Sequence, residues 1–309
     1  MRAAGFRLDL IYPADDPHTA LLSGSAGEVR LTKPRAEPLP GRLARFEPGF
    51  VLTHAEALPG QGRAGMLYRD LIPSRLGGRY IGSHITIPEG GPVADWVHYH
   101  RIALQIIAVR RGWVRVVYED QGQPFVMNEG DLVLQPPLIR HRVLESSPGL
   151  EVVEISAPAL HETFADHAMP LPSGRDPTRL FGRQRFLHHV GADMPWTPFQ
   201  GAEVQETDLF EATDGLADAG IVRAGAASEI AFRPHDGELV FGFVLEGSAR
   251  LECGEIYPLG PADSFVIPPG EAWRLSEMSG DFRLLHVTTG RLSPALPVLA
   301  GDAAMRRSG

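Results

Sequence analysis

Cysteine is almost missing from this chain. A single one, Cys253, occurs in 309 residues, so no intramolecular disulfide can form and the composition fits a reducing compartment. Long apolar runs are missing as well. No stretch of about 18 or more consecutive apolar residues occurs, which leaves nothing that reads as a membrane-spanning helix. The start, Met1-Arg2-Ala3-Ala4-Gly5-Phe6-Arg7-Leu8-Asp9, has no apolar core of signal-peptide length before its first acid. Positive charge is in deficit, with 29 basic against 38 acidic residues and a formal net charge of -9. That balance disfavours a nucleic-acid partner, and no basic stripe interleaved with aromatics appears. The expectation is a cytoplasmic protein with neither membrane nor nucleic acid as partner.

Turn formers are plentiful: 34 glycines and 27 prolines, better explained by many turns between short strands than by long helices. From Tyr68 onward, short β-type runs alternate with turn signals. Tyr80–Ile87 reads as a strand ended by Pro88-Glu89-Gly90-Gly91. Ala103–Val109 and Trp113–Tyr118 flank a turn at Arg110-Arg111-Gly112. Leu132–Gln135 stops at Pro136-Pro137, and Leu150–Ile155 is a further β run. Continuous helical periodicity is absent. Ala157–Ala168, opened by Pro158, is the one segment expected to be helical, and the fold class is all-β.

The second half repeats the first. Ile106-Ile107-Ala108-Val109-Arg110-Arg111-Gly112 answers to Phe241-Gly242-Phe243-Val244-Leu245-Glu246-Gly247. Gly130-Asp131-Leu132-Val133-Leu134-Gln135-Pro136-Pro137 answers to Ala262-Asp263-Ser264-Phe265-Val266-Ile267-Pro268-Pro269, and Tyr68–Leu71 loosely to Glu206–Leu209. Two copies of one β module are therefore expected, in domains 1–172 and 173–309, with linker chemistry in Leu171-Pro172-Ser173-Gly174-Arg175-Asp176-Pro177. Residues 1–60 are weakly patterned and read as an irregular arm that wraps a domain or reaches the partner of a homodimer.

The chemistry concentrates in Trp96-Val97-His98-Tyr99-His100-Arg101-Ile102-Ala103-Leu104-Gln105. On a strand His98 and His100 project the same way, and paired neutral imidazoles form half of a transition-metal site. His141 on a second strand and the carbonyl oxygen of Gln105 would close the set while leaving coordination positions open. Gln135, His84 and Glu154 lie on neighbouring strands as candidates to line the pocket. Arg101 and Arg140 adjoin ligand histidines and, by strand alternation, are expected to face solvent or an interface, as is Tyr99. Trp96 could fold over the barrel mouth. His161-Glu162-Thr163-Phe164-Ala165-Asp166-His167 lacks the four-residue histidine spacing of a zinc protease. His188 and His189 are expected on opposite faces at the surface, and Cys253 is expected as a small strand residue.

These residues resemble the two cupin motifs, written G-x5-H-x-H-x(3,4)-E-x6-G and G-x5-P-x-G-x2-H-x3-N. His98, His100, Gln105 and Gly112 match the first spacing, with glutamine where glutamate is usual and Gly91 one residue early. Gly130, Pro136 and His141 match the second, with Leu138 for glycine and Glu145 for asparagine. The resemblance spans about residues 65–160 and, more weakly, 205–290. It implies a bicupin: two tandem double-stranded β-helix (jelly-roll) barrels with a metal inside the first. In the second copy Arg233, His235, Val240 and Trp273 occupy the ligand positions, so that barrel is expected to be metal-free.

Three neutral imidazoles leave a bound metal its full charge and adjacent open positions, which suits Fe2+ best, with Zn2+, Mn2+ or Ni2+ as alternatives. The expectation is a metal-dependent dioxygenase acting on a small-molecule substrate, similar in organisation to the gentisate-type ring-cleaving dioxygenases. Pro136-Pro137-Leu138-Ile139-Arg140-His141 lacks the aromatic residues of that family near the third histidine. A non-catalytic metabolite-binding or sensory bicupin, and a redox-neutral lyase or isomerase, stay open beside it.

Overall fold

A computed structural model describes residues 5–14, 16–34, 43–61, 65–226 and 229–292. Strands dominate, and among the described residues the only α-helix is the single turn Leu209–Ala212. All the strand pairs named below are antiparallel. Four principal sheets stack as two barrels set back to back.

The first barrel closes between an outer and an inner sheet. The outer sheet runs in the order Phe125–Asn128, Trp113–Tyr118, His141–Ser146, His98–His100, Thr163–Ala165, then Arg7–Tyr12, Thr19–Gly24 and Gly27–Thr32. The inner sheet runs Leu187–His189, Leu132–Leu134, Leu104–Arg111, Leu150–Ala157, Ile81–Ile87, Leu67–Asp70 and Gly60–Gln61. The second barrel has a seven-stranded inner sheet centred on Ala217–Arg223, Arg283–Thr289, Leu239–Glu246 and Ser264–Ile267, and a four-stranded outer sheet.

Alternation divides each inner strand between two cores. From Leu104–Arg111, Leu104, Ile106 and Ala108 point away from the first barrel and join Phe241, Phe243, Leu285 and Val287 in a shared core between the inner sheets. Ile107 and Val109 instead pack inside the first barrel with Val114, Val116 and Leu150. The second barrel is filled by Val240, Val244, Phe265, Ile267, Trp273 and Leu284. Both faces of the inner strands are thus buried, which is why they read as continuous apolar runs rather than alternating ones.

The repeat is visible in matching turns. Gly112 has φ +80° and Gly247 φ +70°, a conformation that favours glycine. A Cβ at Gly112 would lie 2.3 Å from Ser147 Oγ, and one at Gly247 2.4 Å from Ser279 Oγ. Those serines play the same part: Trp113 N donates to Ser147 Oγ at 3.0 Å and Ser248 N to Ser279 Oγ at 2.8 Å. Asp131 and Asp263 likewise accept from Asn128 N and Gly260 N, each at 2.8 Å.

Three sequence expectations are corrected. Ala157–Ala168 is not a helix: Ala157 ends one strand, and Thr163–Ala165 forms another, paired with His98–His100. Sheet neighbours satisfy that backbone, and Thr163 and Phe164 are good strand formers. Residues 1–60 are not an irregular arm throughout, because Arg7–Thr32 adds three antiparallel strands to the outer sheet. The last of these is largely exposed, so it carries little apolar pattern. His189 is not at the surface but buried, with Nε2 3.4 Å from Gln205 Oε1. Two strands also cross position 172: Val51–Thr53 pairs with Ser264–Ile267 in the second barrel, and Leu187–His189 pairs with Leu132–Leu134 in the first.

Candidate metal centre

The strand His98–His100 lies between Thr163–Ala165 and the start of His141–Ser146, with His141 directly opposite His98. Alternation turns His98 and His100 inward, where both are buried, and Tyr99 outward. The three imidazoles converge, with ring centroids 4.1 Å apart for His98–His141 and 5.2 Å for both His98–His100 and His100–His141. One ligating nitrogen from each lies within 4.8 Å of the others.

Hydrogen bonds set the ring orientation. His98 Nδ1 donates to the Trp96 carbonyl at 2.8 Å, and His141 Nδ1 to the Ile139 carbonyl at 3.1 Å. His100 Nδ1 lies 2.8 Å from Thr163 Oγ1. A proton on Nδ1 puts the lone pair on Nε2, the arrangement that metal-ligating histidines adopt. Buried, convergent, neutral nitrogen donors with satisfied outer partners fit a borderline transition metal. Thr163 was missed in the sequence because its segment read as helix; the alternation of Thr163, Phe164 and Ala165 was the available signal.

Gln105 is buried beside this cluster, and its Oε1 accepts from Gln135 Nε2 at 2.6 Å. Gln135 Oε1 in turn accepts from Tyr118 OH at 3.0 Å. The chain of donors runs one way, from the phenol to Gln135 to Gln105, and fixes which end of each amide points where. Burial, with the Glu154 carboxylate nearby, pushes the Tyr118 phenol far above its ordinary pKa, so it stays a donor. His100, His141, Gln105, Gln135, Tyr118 and Glu154 supply polar groups, with Arg142, to a cavity of about 90 Å³ whose other walls are mostly apolar. Ser156 Oγ donates to Glu154 Oε1 at 3.1 Å.

Other candidates fall elsewhere. His84 faces the seam between the barrels, not the cavity: its Nε2 meets Glu151 Oε2 at 2.9 Å and its ring lies 5.4 Å from Phe243. Arg69 and Arg110 complete that seam, donating to the Ala262 and Leu245 carbonyls of the second barrel. Hydrogen bonding from His84 and the Arg110 charge hold the Glu151 carboxyl at about 2. Arg101 does not face solvent; it pairs with the buried Glu162 at 3.5 Å. Arg140 lies 4.1 Å over the Tyr99 ring and pairs with Asp166. Trp96 contributes its carbonyl to His98, and its ring is not among the walls of the cavity.

No protein-family model matches the chain, and no curated protein does. Solved structures do. Salicylate 1,2-dioxygenase from Pseudaminobacter salicylatoxidans superposes with a TM-score of 0.59 at 17% identity, over 80% of this chain and 86% of that one. A variant of oxalate decarboxylase from Bacillus subtilis gives 0.57 at 10% identity, over 89% and 85%. Protein Ylba from E. coli gives 0.56 at 12%, over 80% and 93%. The fold is that of a bicupin.

In the second barrel the four positions are occupied differently. Val240 and Trp273 are buried, and Trp273 stacks on Phe232 at 3.8 Å between centroids. Arg233 is exposed, and His235 Nε2 lies 3.1 Å from the Ile267 carbonyl. Among the described residues the second group of three potential metal ligands, His54, Glu56 and Asp263, has two exposed members and includes none of these four positions. Cys253 is a half-buried strand residue. No helix among the described residues is long and apolar enough to cross a membrane.

Proposed function

We propose that this bicupin is a metal-dependent oxygenase acting on a small organic molecule. His98, His100 and His141 would hold one divalent metal, Fe2+ before Zn2+, Mn2+ or Ni2+, with Gln105 as a fourth, neutral ligand. The observation that carries the reading is the convergence of three buried imidazoles whose Nδ1 atoms are held by Trp96, Thr163 and Ile139, with His100 and His141 lining a largely apolar cavity. Three histidines leave positions open for substrate oxygens and dioxygen, and Fe2+ in that setting supplies a Lewis-acidic, redox-active centre. The structural likeness to a salicylate 1,2-dioxygenase supports an oxygenase.

The protein's own groups have separable tasks. Apolar walls such as Ile85, Val116 and Val152 exclude water. Tyr118 and Gln135 orient the Gln105 amide. Glu154 places a carboxylate in the cavity, where it can take a proton from a bound substrate hydroxyl.

That carboxylate also favours a second reading, a redox-neutral lyase or isomerase, for which an acid–base group beside a Lewis acid suffices. The likeness to an oxalate decarboxylase points the same way. Anaerobically prepared protein loaded with Fe2+ and supplied with salicylate, gentisate and related small acids and diphenols separates them. Dioxygen uptake with at least one substrate is expected. Turnover without dioxygen consumption, or CO2 release from a small diacid by the Mn2+ form, would replace the oxygenase with the lyase. We place the enzyme in the cytoplasm, a reading supported by its single cysteine.

A further inference from the structure

The second barrel keeps a cavity although it lacks the metal residues. Its cleft measures 530 Å³, and Phe199, Phe232, His286, Glu206, Asp208 and Asp218 contribute to its walls. The register shows where this cleft sits relative to the metal centre. Ile107 pairs with Glu154 in the first barrel and the matching Gly242 pairs with His286 in the second, so His286 stands at the position of Glu154. The cleft is the second barrel's counterpart of the substrate cavity, rebuilt with other side chains.

Its chemistry is one-sided. Three rings line the apolar part, with centroids 6.0 Å apart for Phe199–Phe232 and 5.5 Å for Phe232–His286. Asp218 and Glu206 share a face on adjacent strands: Glu206 pairs with Gly220, two residues along from Asp218. Among the described residues no cation pairs with Glu206, Asp208 or Asp218, and the walls of the cleft include no Lys or Arg. His286 contributes a ring to the same wall. Its Nε2 is buried without a hydrogen-bond partner.

The geometry points to a second ligand site in the metal-free barrel, specific for a small organic ammonium ion whose apolar part lies against Phe199 and Phe232 and whose charge meets Asp218 and Glu206. An anion has no counter-charge there. A cation gains from the carboxylates and from the ring faces together. Partial desolvation against the cleft wall and the neighbouring Glu206 charge already hold the Asp218 carboxyl above its ordinary pKa, a repulsion that a bound ammonium would reverse. The site does not depend on metal in the first barrel.

Calorimetric titration of the full chain with benzylammonium, benzyl alcohol and benzoate tests it, because the ring stays constant while the charge changes. Benzylammonium is expected to bind once per chain, about tenfold or more tighter than benzyl alcohol, the scale of one charge-assisted hydrogen bond, with benzoate weakest. Asp218→Asn, at an exposed position, should lose about tenfold in affinity, and Phe232→Leu should weaken all three probes. The His98→Ala/His141→Ala variant should bind benzylammonium unchanged. Equal affinity for the alcohol and the ammonium, affinity that survives the Asp218→Asn/Glu206→Gln double variant, or loss of binding in the histidine variant would overturn the proposal. So would a failure of both benzylammonium and the smaller tetramethylammonium to bind.

Discussion

Gln135 holds the side-chain oxygen of Gln105 through a 2.6 Å hydrogen bond from its amide nitrogen. A carbonyl oxygen has two lone pairs, so this bond aims Gln105 Oε1 and leaves it capacity for a metal. Replacing the amide by a carboxylate keeps the acceptor and adds a negative charge to a site otherwise built of neutral donors. Gln105→Glu is therefore expected to tighten divalent metal binding by about tenfold or more, the worth of one good charge interaction. Gln135→Met, which removes the aiming donor, should weaken it. Competition against a chromophoric chelator measures both. Unchanged or weaker affinity in Gln105→Glu would place that side chain outside the coordination sphere.

One divalent metal per chain is expected, because the clustered imidazoles belong to the first barrel and the matching positions of the second hold Arg233, His235, Val240 and Trp273. Elemental analysis of anaerobically purified protein should give a ratio near unity, falling to near zero in His98→Ala/His141→Ala. A ratio near two, or full retention in the double variant, contradicts the single-site assignment.

The site was legible in the sequence where its geometry is local. His98 and His100 share a face because strands alternate, and His141 follows a turn marked by Pro136 and Pro137. The partners were not legible: Thr163, which fixes the His100 ring, lies 63 residues away in sequence and only sheet pairing brings it there. His84 shows a second limit. Its strand, Ile81–Ile87, is buried on both sides, so composition does not say which parity faces the metal cavity. Even positions turned out to face the other barrel. The N-terminal strands had a readable turn at Gly24-Ser25-Ala26-Gly27, but their half-exposed faces left little alternation to support it. The crossing of Val51–Thr53 into the second barrel is a long-range pairing with no local signature.

Trp273 fills the space that a fourth ligand would need, between Phe232 at 3.8 Å and Phe265 at 5.5 Å centroid separation. Trp273→Ala is expected to cost about 3–5 kcal/mol of stability through lost burial and the cavity left behind, seen as a lower urea midpoint, with metal content unchanged. His235→Ala should alter neither metal content nor turnover. If it halves the metal content, the second barrel has a site of its own.

His286 gives the fold a pH dependence that can be assigned to one residue. Burial holds its imidazole at about 4, below the ordinary 6.5. The sign follows from linkage: below 6.5 the unfolded chain takes a proton that the folded chain refuses, so stability declines as pH falls from 6.5 to about 4. Between pH 7 and pH 5 that amounts to about 2 kcal/mol from this group. His84 and His189, whose pKa values burial also lowers, contribute in the same direction, so the test must compare slopes rather than absolute values. His286→Leu cannot take up the proton in either state. Its urea-unfolding free energy should fall by about 2 kcal/mol less than the parent's over that interval. Identical slopes in parent and variant would mean that His286 is protonated as readily in the folded barrel as in water, and that its nitrogen is not held in the dry setting described above.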